Sequence, residues 1–154
     1  MRKWGKRSQQ VRSELDPRFH RVLDRTLHEV ADISLVCGFR NQKEQNEAFE
    51  NGFSKVRWPD GKHNKQPSTA VDLQPHPMPA DDKLVMALSY IAGHIVQIGR
   101  EEGIIIRWGG DWDRDGDLLD QNFDDLFHFE VVGELSETNS TSSNTDDRVC
   151  DDQD

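Results

Sequence analysis

The spacing of apolar residues along the chain predicts its helices. After Asp16-Pro17, a pair that favours the first turn of a helix, apolar residues recur every three or four positions, as on one helical face. These residues are Phe19, Val22, Leu23, Leu27 and Val30. A short helix is predicted over 42–50, with Asn41 as its N-cap, and a long one over 81–102.

Short runs of apolar and β-branched residues predict four strands between and after these helices. They cover 33–37, 69–73, 104–106 and 127–132. Elements mixed in this order predict a small single domain of the α+β class, in which helices pack on a short, mainly antiparallel sheet.

The two ends of the chain differ in composition from this domain, which we place at 14–132. Residues 1–13 contain five basic residues and few apolar ones, which predicts a flexible, solvated N-terminus; weak attraction to an anionic surface is the alternative. Residues 133–154 contain seven acidic residues, one arginine and no aromatic residue. Such a segment buries too little apolar surface to offset its chain entropy, so we expect a disordered acidic tail.

Charge and hydropathy exclude several classes of protein. The net charge is −10, of which the tail contributes −6, and an acidic chain is a poor nucleic-acid binder. No apolar run is long enough for a membrane anchor or a secretion signal. Cys37 and Cys150 do not make a disulfide framework. We therefore expect a monomer that is made in the cytoplasm and has no stable membrane anchor.

Two histidines and two aspartates form a candidate metal site. His63 ends a polar loop, Asp72 lies in the strand that follows, and His128 lies in the last strand. Imidazole and carboxylate are zinc ligands, and three of them leave a fourth position for water. Asp125 would be a general base if the backbone turns between it and His128. A histidine in a soluble domain is most often a polar or half-buried residue, so the spacing alone favours unrelated polar histidines over a metal site.

A second candidate metal site lies in an aspartate-rich loop. Asp111, Asp113, Asp115 and Asp117 have the alternate spacing of a calcium-binding loop, with Gly116 at the turn. The twelfth position of that loop is Asn122 instead of a bidentate glutamate. A solvated acidic loop over the active site is the alternative.

Four motifs, in this order, resemble one known family. They are GFRNQKEQ (38–45), SKVRWPDGKHNKQPSTAVDLQPHP (54–77), RWGGDWDRDGD (107–117) and DDLFHFEVV (124–132). Over 14–132 the chain resembles the peptidase M15 family, in particular phage endolysins that are L-alanyl-D-glutamate peptidoglycan endopeptidases. The resemblance implies the fold shared by hedgehog and D-Ala-D-Ala peptidases.

The resemblance also implies roles for individual residues. His63, Asp72 and His128 would be the zinc ligands, and Asp125 the catalytic base. Arg40 would bind the developing oxyanion or a substrate carboxylate. The family has serine where this chain has Gly61, so a hydrogen bond to the site is missing or comes from Ser54 or Ser68. The interval from His63 to Asp72 is also two residues longer than in the family motif.

The function implied is zinc-dependent cleavage of the L-Ala–D-Glu bond in peptidoglycan stem peptides. The implied setting is host lysis by a phage, with the enzyme made in the host cytoplasm and reaching the cell wall or periplasm after release through a holin. Two alternatives remain open. One is a D-alanyl-D-alanine carboxypeptidase or dipeptidase of the same fold, and the other is a non-catalytic wall-binding or virion protein.

Overall fold

The computed structural model describes residues 1–136 and confirms the α+β class. The helices are α1 (Lys6–Glu14), α2 (Arg18–Arg25), α3 (Gln42–Glu50) and α4 (Asp81–Glu101); a π-helical turn (Thr26–Val30) continues α2, and a 3-10 turn (Lys62–Asn64) precedes the second strand. The strands are β1 (Ile33–Cys37), β2 (Ala70–Pro75), β3 (Ile104–Gly109) and β4 (Asp125–Glu134). All four strands predicted from the sequence are present, and β3 and β4 are longer than expected.

The four strands form one antiparallel sheet in the order β1-β2-β4-β3. The inner strands β2 and β4 are therefore neighbours although 49 residues separate them along the chain. In this register Asp72 lies opposite His128 on one side and opposite Cys37 on the other. The sheet thus brings distant polar residues to one place.

The hydrophobic core lies between the sheet and the helices. α4 packs against β3, and α1 packs against β1. Four of the five apolar residues that predict the first helical face are fully buried: Phe19, Val22, Leu23 and Leu27. Burial of each such side chain contributes about 1.5–3 kcal/mol, so helical periodicity in the sequence translates directly into core packing.

The structure corrects the expectation of a flexible N-terminus, because residues 6–14 form helix α1. Val11 is buried, and the Ser8 hydroxyl accepts a hydrogen bond from the Leu35 amide of β1 at 3.0 Å. Asp24 of α2 accepts hydrogen bonds from the Trp4 indole at 2.8 Å and from the Arg12 guanidinium at 2.7 and 2.9 Å. Few of the residues before position 14 are apolar, so the buried face was too short to be recognised as a periodic pattern.

The other end of the domain also extends beyond its predicted limit at position 132. β4 continues to Glu134, and the Leu135 amide donates to the Gly103 carbonyl at 2.8 Å. Residues 137–154, most of the segment predicted to be a disordered tail, lie outside the described residues, so that expectation stays a prediction. Within 1–136, no helix has the length and apolar character needed to cross a membrane.

Candidate metal centre

Three side chains from separate parts of the chain meet at the end of the two inner strands. The distance from His63 Nε2 to Asp72 Oδ1 is 3.2 Å, from His128 Nδ1 to Asp72 Oδ1 is 3.1 Å, and between the two histidine nitrogens is 3.2 Å. His63 comes from the 3-10 turn, while Asp72 and His128 face each other across β2 and β4. The structure therefore brings together all three residues that the sequence analysis proposed as ligands.

The donor set fits a metal ion such as zinc. His63 Nδ1 lies 2.6 Å from the Gly38 carbonyl and His128 Nε2 lies 2.9 Å from a Glu130 carboxylate oxygen, so each of these nitrogens carries the proton it donates. In the neutral form of each ring, the other nitrogen presents a lone pair toward Asp72. Three lone-pair donors roughly 3 Å apart repel unless a cation lies between them, and bond lengths of about 2.0–2.1 Å in a tetrahedral zinc site put neighbouring ligands about 3.3 Å apart.

Electrostatics around Asp72 also favour a bound cation or proton. Burial alone would raise the pKa of Asp72, but the hydrogen bonds from His128 and His63 hold it well below its usual range. Burial alone would lower the pKa of His63, yet its hydrogen bond to Asp72 raises it to about 10. A metal ion must displace the protons held here, so we expect metal binding to release protons and to weaken at acid pH.

Asp125 reaches the same place because β4 bulges. Trp108 of β3 pairs with Phe129, but the next residue, Gly109, pairs with Asp125, so residues 126–128 have no partner on β3. The bulge removes the alternation that would point Asp125 and His128 to opposite faces. A carboxylate oxygen of Asp125 accordingly lies within 4.8 Å of ligand atoms of Asp72 and His128.

The close pairing of Gly109 with Asp125 requires glycine. A Cβ at position 109 would lie 2.1 Å from the Asp125 carbonyl oxygen, which no side chain tolerates. Burial raises the pKa of Asp125, and the nearby charge of Asp72 raises it further. Asp125 is thus a carboxylate with increased proton affinity, as a general base beside a metal needs.

Arg40 is held beside the ligands by the start of α3. Asn41 and Glu44 form a reciprocal capping box, with side chain to backbone distances of 2.9 Å in both directions. The Arg40 amide donates to the His63 carbonyl at 2.9 Å, and its Nη2 lies 3.1 Å from Asp72 Oδ2. Arg40 therefore lies beside Asp72, and its role in binding the substrate stays a prediction.

A cleft of about 320 Å³ opens over this cluster. It is lined by the polar residues His63, Asp125 and His128, by the 53–56 segment, and by the aromatic rings of Trp112 and Phe123. The two rings stack with an interplanar angle of 15°, and Trp112 also contacts the ring of His128, with centroids 5.7 Å apart. The cleft thus combines the polar cluster with apolar and aromatic lining residues, an arrangement that suits a peptide.

Comparison with known proteins agrees with this geometry. A sequence model described as "Phage L-alanyl-D-glutamate peptidase" matches residues 1–132. The chain belongs to that family. The L-alanyl-D-glutamate peptidase of Escherichia phage T5 is 28% identical over 124 residues, or 77% of this chain and 88% of that protein. The crystal structure of the Serratia marcescens L-Ala D-Glu endopeptidase ChiX superposes with a TM-score of 0.63 at 25% identity, covering 82% of this chain and 86% of that one. The resemblance seen in the four motifs is confirmed.

The peptidase has one important residue at the site that the sequence analysis missed. Glu130 is buried, accepts a hydrogen bond from His128 Nε2 at 2.9 Å, and pairs with Arg107 at 2.7 Å. Burial alone would raise the pKa of Glu130, but the hydrogen bonds from His128 and Arg107 lower it to about 2. Its position two residues after His128 on a strand was the available signal, because residues two apart share a face.

The departure from the family at Gly61 has a structural reason. A Cβ at this position would lie 2.6 Å from Asn64 Oδ1 and 3.0 Å from Gln45 Oε1, so the Asn64 amide fills the space that a serine would need. Of the two serines proposed as substitutes, Ser68 lies near the ligands: its hydroxyl is 3.1 Å from the Gly38 carbonyl that accepts from His63. Ser54 instead pairs with the Gln45 amide at 2.8 Å.

The aspartate-rich loop brings together three of its four proposed ligands. Carboxylate oxygens of Asp111, Asp113 and Asp115 lie within 4.8 Å of one another. Asp117 is not part of this group; its carboxylate accepts a hydrogen bond from the Leu119 amide at 2.9 Å. One oxygen of Asp111 is buried and has no hydrogen-bond partner within the described residues.

Proposed function

We propose that this peptidase is a zinc-dependent endopeptidase that hydrolyses the L-Ala–D-Glu bond of peptidoglycan stem peptides. The observation that carries the proposal is the triangle formed by His63 Nε2, Asp72 Oδ1 and His128 Nδ1, with sides of 3.1–3.2 Å. The names of the two relatives supply the bond. The donor set supplies the choice of metal, since two imidazoles and one carboxylate suit zinc.

Each residue at the base of the cleft has a role in this reaction. His63, Asp72 and His128 would hold the zinc ion, which would supply a Lewis acid for the scissile carbonyl and for a water molecule. Asp125 accepts the proton of the attacking water and then donates it to the leaving amine, and its raised pKa suits both steps. Arg40 places a fixed positive charge where negative charge develops on the substrate.

Mass spectrometry of digested peptidoglycan tests the bond and the metal together. We expect new ends between L-Ala and D-Glu, lost on treatment with a chelator and restored by zinc. Asp125→Asn should lose cleavage while retaining zinc, and Asp124→Asn, the same change at the exposed neighbouring residue, should keep it. Release of terminal D-alanine alone would favour the carboxypeptidase alternative. Binding to the wall without cleavage, by zinc-loaded protein, would favour the wall-binding alternative.

The biological setting that we propose follows from the family. A phage enzyme of this class is made in the host cytoplasm, reaches the cell wall after release through a holin, and acts as a monomer in host lysis. Single-cell lysis assays with the wild-type gene expressed alone and together with a holin would test this setting. Lysis without any holin would contradict it.

We propose in addition that the aspartate-rich loop binds calcium. Three carboxylates close together and one buried, unpaired oxygen of Asp111 favour a cation there. Asp120 is exposed, but desolvation and the charges of Asp115 and Asp113 raise its pKa, and a cation would relieve this repulsion. Calcium added to zinc-loaded enzyme should raise activity or thermal stability, and Asp113→Asn should reduce the response. A flat titration would contradict the proposal.

A further inference from the structure

The proposed substrate carries a charge next to the bond that is cut. A D-glutamyl residue has two carboxyl groups, of which one continues the peptide, so the other is free unless it is amidated. This carboxylate lies within a few bonds of the scissile nitrogen. An enzyme that cuts before this residue therefore needs a cation at the matching place in its cleft, or must desolvate an unpaired charge.

Three cationic side chains line the cleft: Arg40, Lys55 and Lys62. Arg40 is already paired with Asp72 at 3.1 Å, so its charge serves the metal ligands and the reacting carbonyl. Lys62 is exposed, and within the described residues no ion pair or aromatic ring holds its ammonium group in place. A mobile ammonium group loses more entropy on binding a carboxylate than a positioned one does. It therefore discriminates less well between a carboxylate and a carboxamide.

Lys55 is exposed as well, but it differs from Lys62 because its ammonium group contacts an aromatic ring. Lys55 lines the cleft, and its Nζ lies over the ring of Phe123, another lining residue, 4.7 Å from the centroid. Phe123 in turn stacks on Trp112, which contacts the metal ligand His128. No carboxylate of residues 1–136 forms an ion pair with Lys55, so its charge is available to a ligand in the cleft.

We propose that Lys55 is a specificity-determining residue that pairs with the free carboxylate of the D-glutamyl residue after the scissile bond. The peptidase then prefers stem peptides in which this carboxyl group is not amidated. The inference rests on the proposed endopeptidase function and adds to it the chemical form of the substrate. None of the acids that line the same cleft forms an ion pair with Lys55. Glu130 is paired with Arg107, Asp125 is the proposed base, and Asp60 is exposed.

The test compares two synthetic stem peptides that differ only in this group, one with the free carboxylate and one with the carboxamide. The wild-type enzyme should cleave the carboxylate form with a kcat/KM about tenfold higher, the factor that corresponds to ~1.4 kcal/mol. Lys55→Met keeps the aliphatic stem and removes the charge, so it should lower kcat/KM about tenfold for the carboxylate form and leave the carboxamide form unchanged. Lys55→Arg should retain the preference.

Two further variants serve as controls. Lys43→Met removes one positive charge from an exposed site on α3, outside the cleft, and should leave both rates unchanged. Lys62→Met should leave the preference intact. Loss of the preference in Lys62→Met, or an equal decrease for both peptides in zinc-loaded Lys55→Met, would overturn the assignment to Lys55. Equal cleavage of both peptides by the wild type would overturn this inference alone, whereas cleavage of neither would overturn the proposed function with it.

Discussion

Replacement of Glu130 by glutamine tests how far the proposed metal centre depends on a residue that is not itself a proposed ligand. One oxygen of Glu130 accepts from His128 Nε2, so that Nδ1 faces Asp72 and His63, and the other pairs with Arg107. Glutamine keeps the shape but replaces one acceptor oxygen with an NH2 group. Either His128 or Arg107 then faces a donor instead of an acceptor.

The magnitude follows from the burial and charge of this carboxylate. Its side chain is 5% exposed, and its pKa is lowered from 4.5 to about 2, which at 1.36 kcal/mol per pH unit sets an upper limit of roughly 3 kcal/mol on the stabilisation of its charge. Arg107 is 31% exposed, so water replaces part of its lost interaction. We expect a loss of about 1–2 kcal/mol in the stability of the metal-free protein and a decrease of about 10–100-fold in zinc affinity.

Competition with a chromophoric chelator measures the zinc affinity, and urea unfolding of the metal-free protein measures the stability. Glu134→Gln is the matched control, because it makes the same change on the same strand at a side chain that is 64% exposed. The control should change neither quantity by a measurable amount. Zinc affinity equal to wild type in Glu130→Gln would refute the reasoning that the carboxylate orients His128.

Two other predictions concern backbone packing and pH. Gly109→Ala should lower the free energy of unfolding by about 2–3 kcal/mol in thermal unfolding and reduce activity, because the new Cβ meets the carbonyl oxygen of Asp125. Gly93→Ala, at an exposed position of α4 where nothing lies within 4 Å of the new Cβ, should stabilise the protein by about 0.5–1 kcal/mol. Equal effects would contradict this. Burial alone would raise the pKa of Asp24, but the hydrogen bonds from Arg12 and Trp4 lower it below 3.8, so its stabilising effect is present above that pH and is lost as pH falls through the folded-state pKa. Asp24→Asn should therefore cost about 0.5–1 kcal/mol near neutral pH, after discounting for its 35% exposed side chain, and urea unfolding should show this difference shrinking in acid. A difference independent of pH would be evidence against the ion pair.

Features that depend on neighbours along the chain were predictable from the sequence. The periodic apolar residues from Phe19 to Leu27 predicted a buried helical face, and Asn41 predicted the start of α3, because both follow from contacts within one helix. The motif residues His63, Asp72 and His128 were predicted as one cluster, although spacing alone left them open and the resemblance decided between the alternatives.

Features that depend on register and close approach came only from the tertiary structure. The bulge that leaves 126–128 unpaired lets Asp125 share a site with His128, and the sequence has no local signal for it. Helix α1 is held by contacts with β1 and α2, which lie far from it along the chain or in a separate helix. Its own composition, rich in basic residues, therefore gave no signal of this packing. The sequence by itself thus determined which segments become helices and strands, since these follow from local spacing. The positions of Asp125 and Glu130 around the ligands were decided by strand pairing, whose energy comes from residues far apart in the chain.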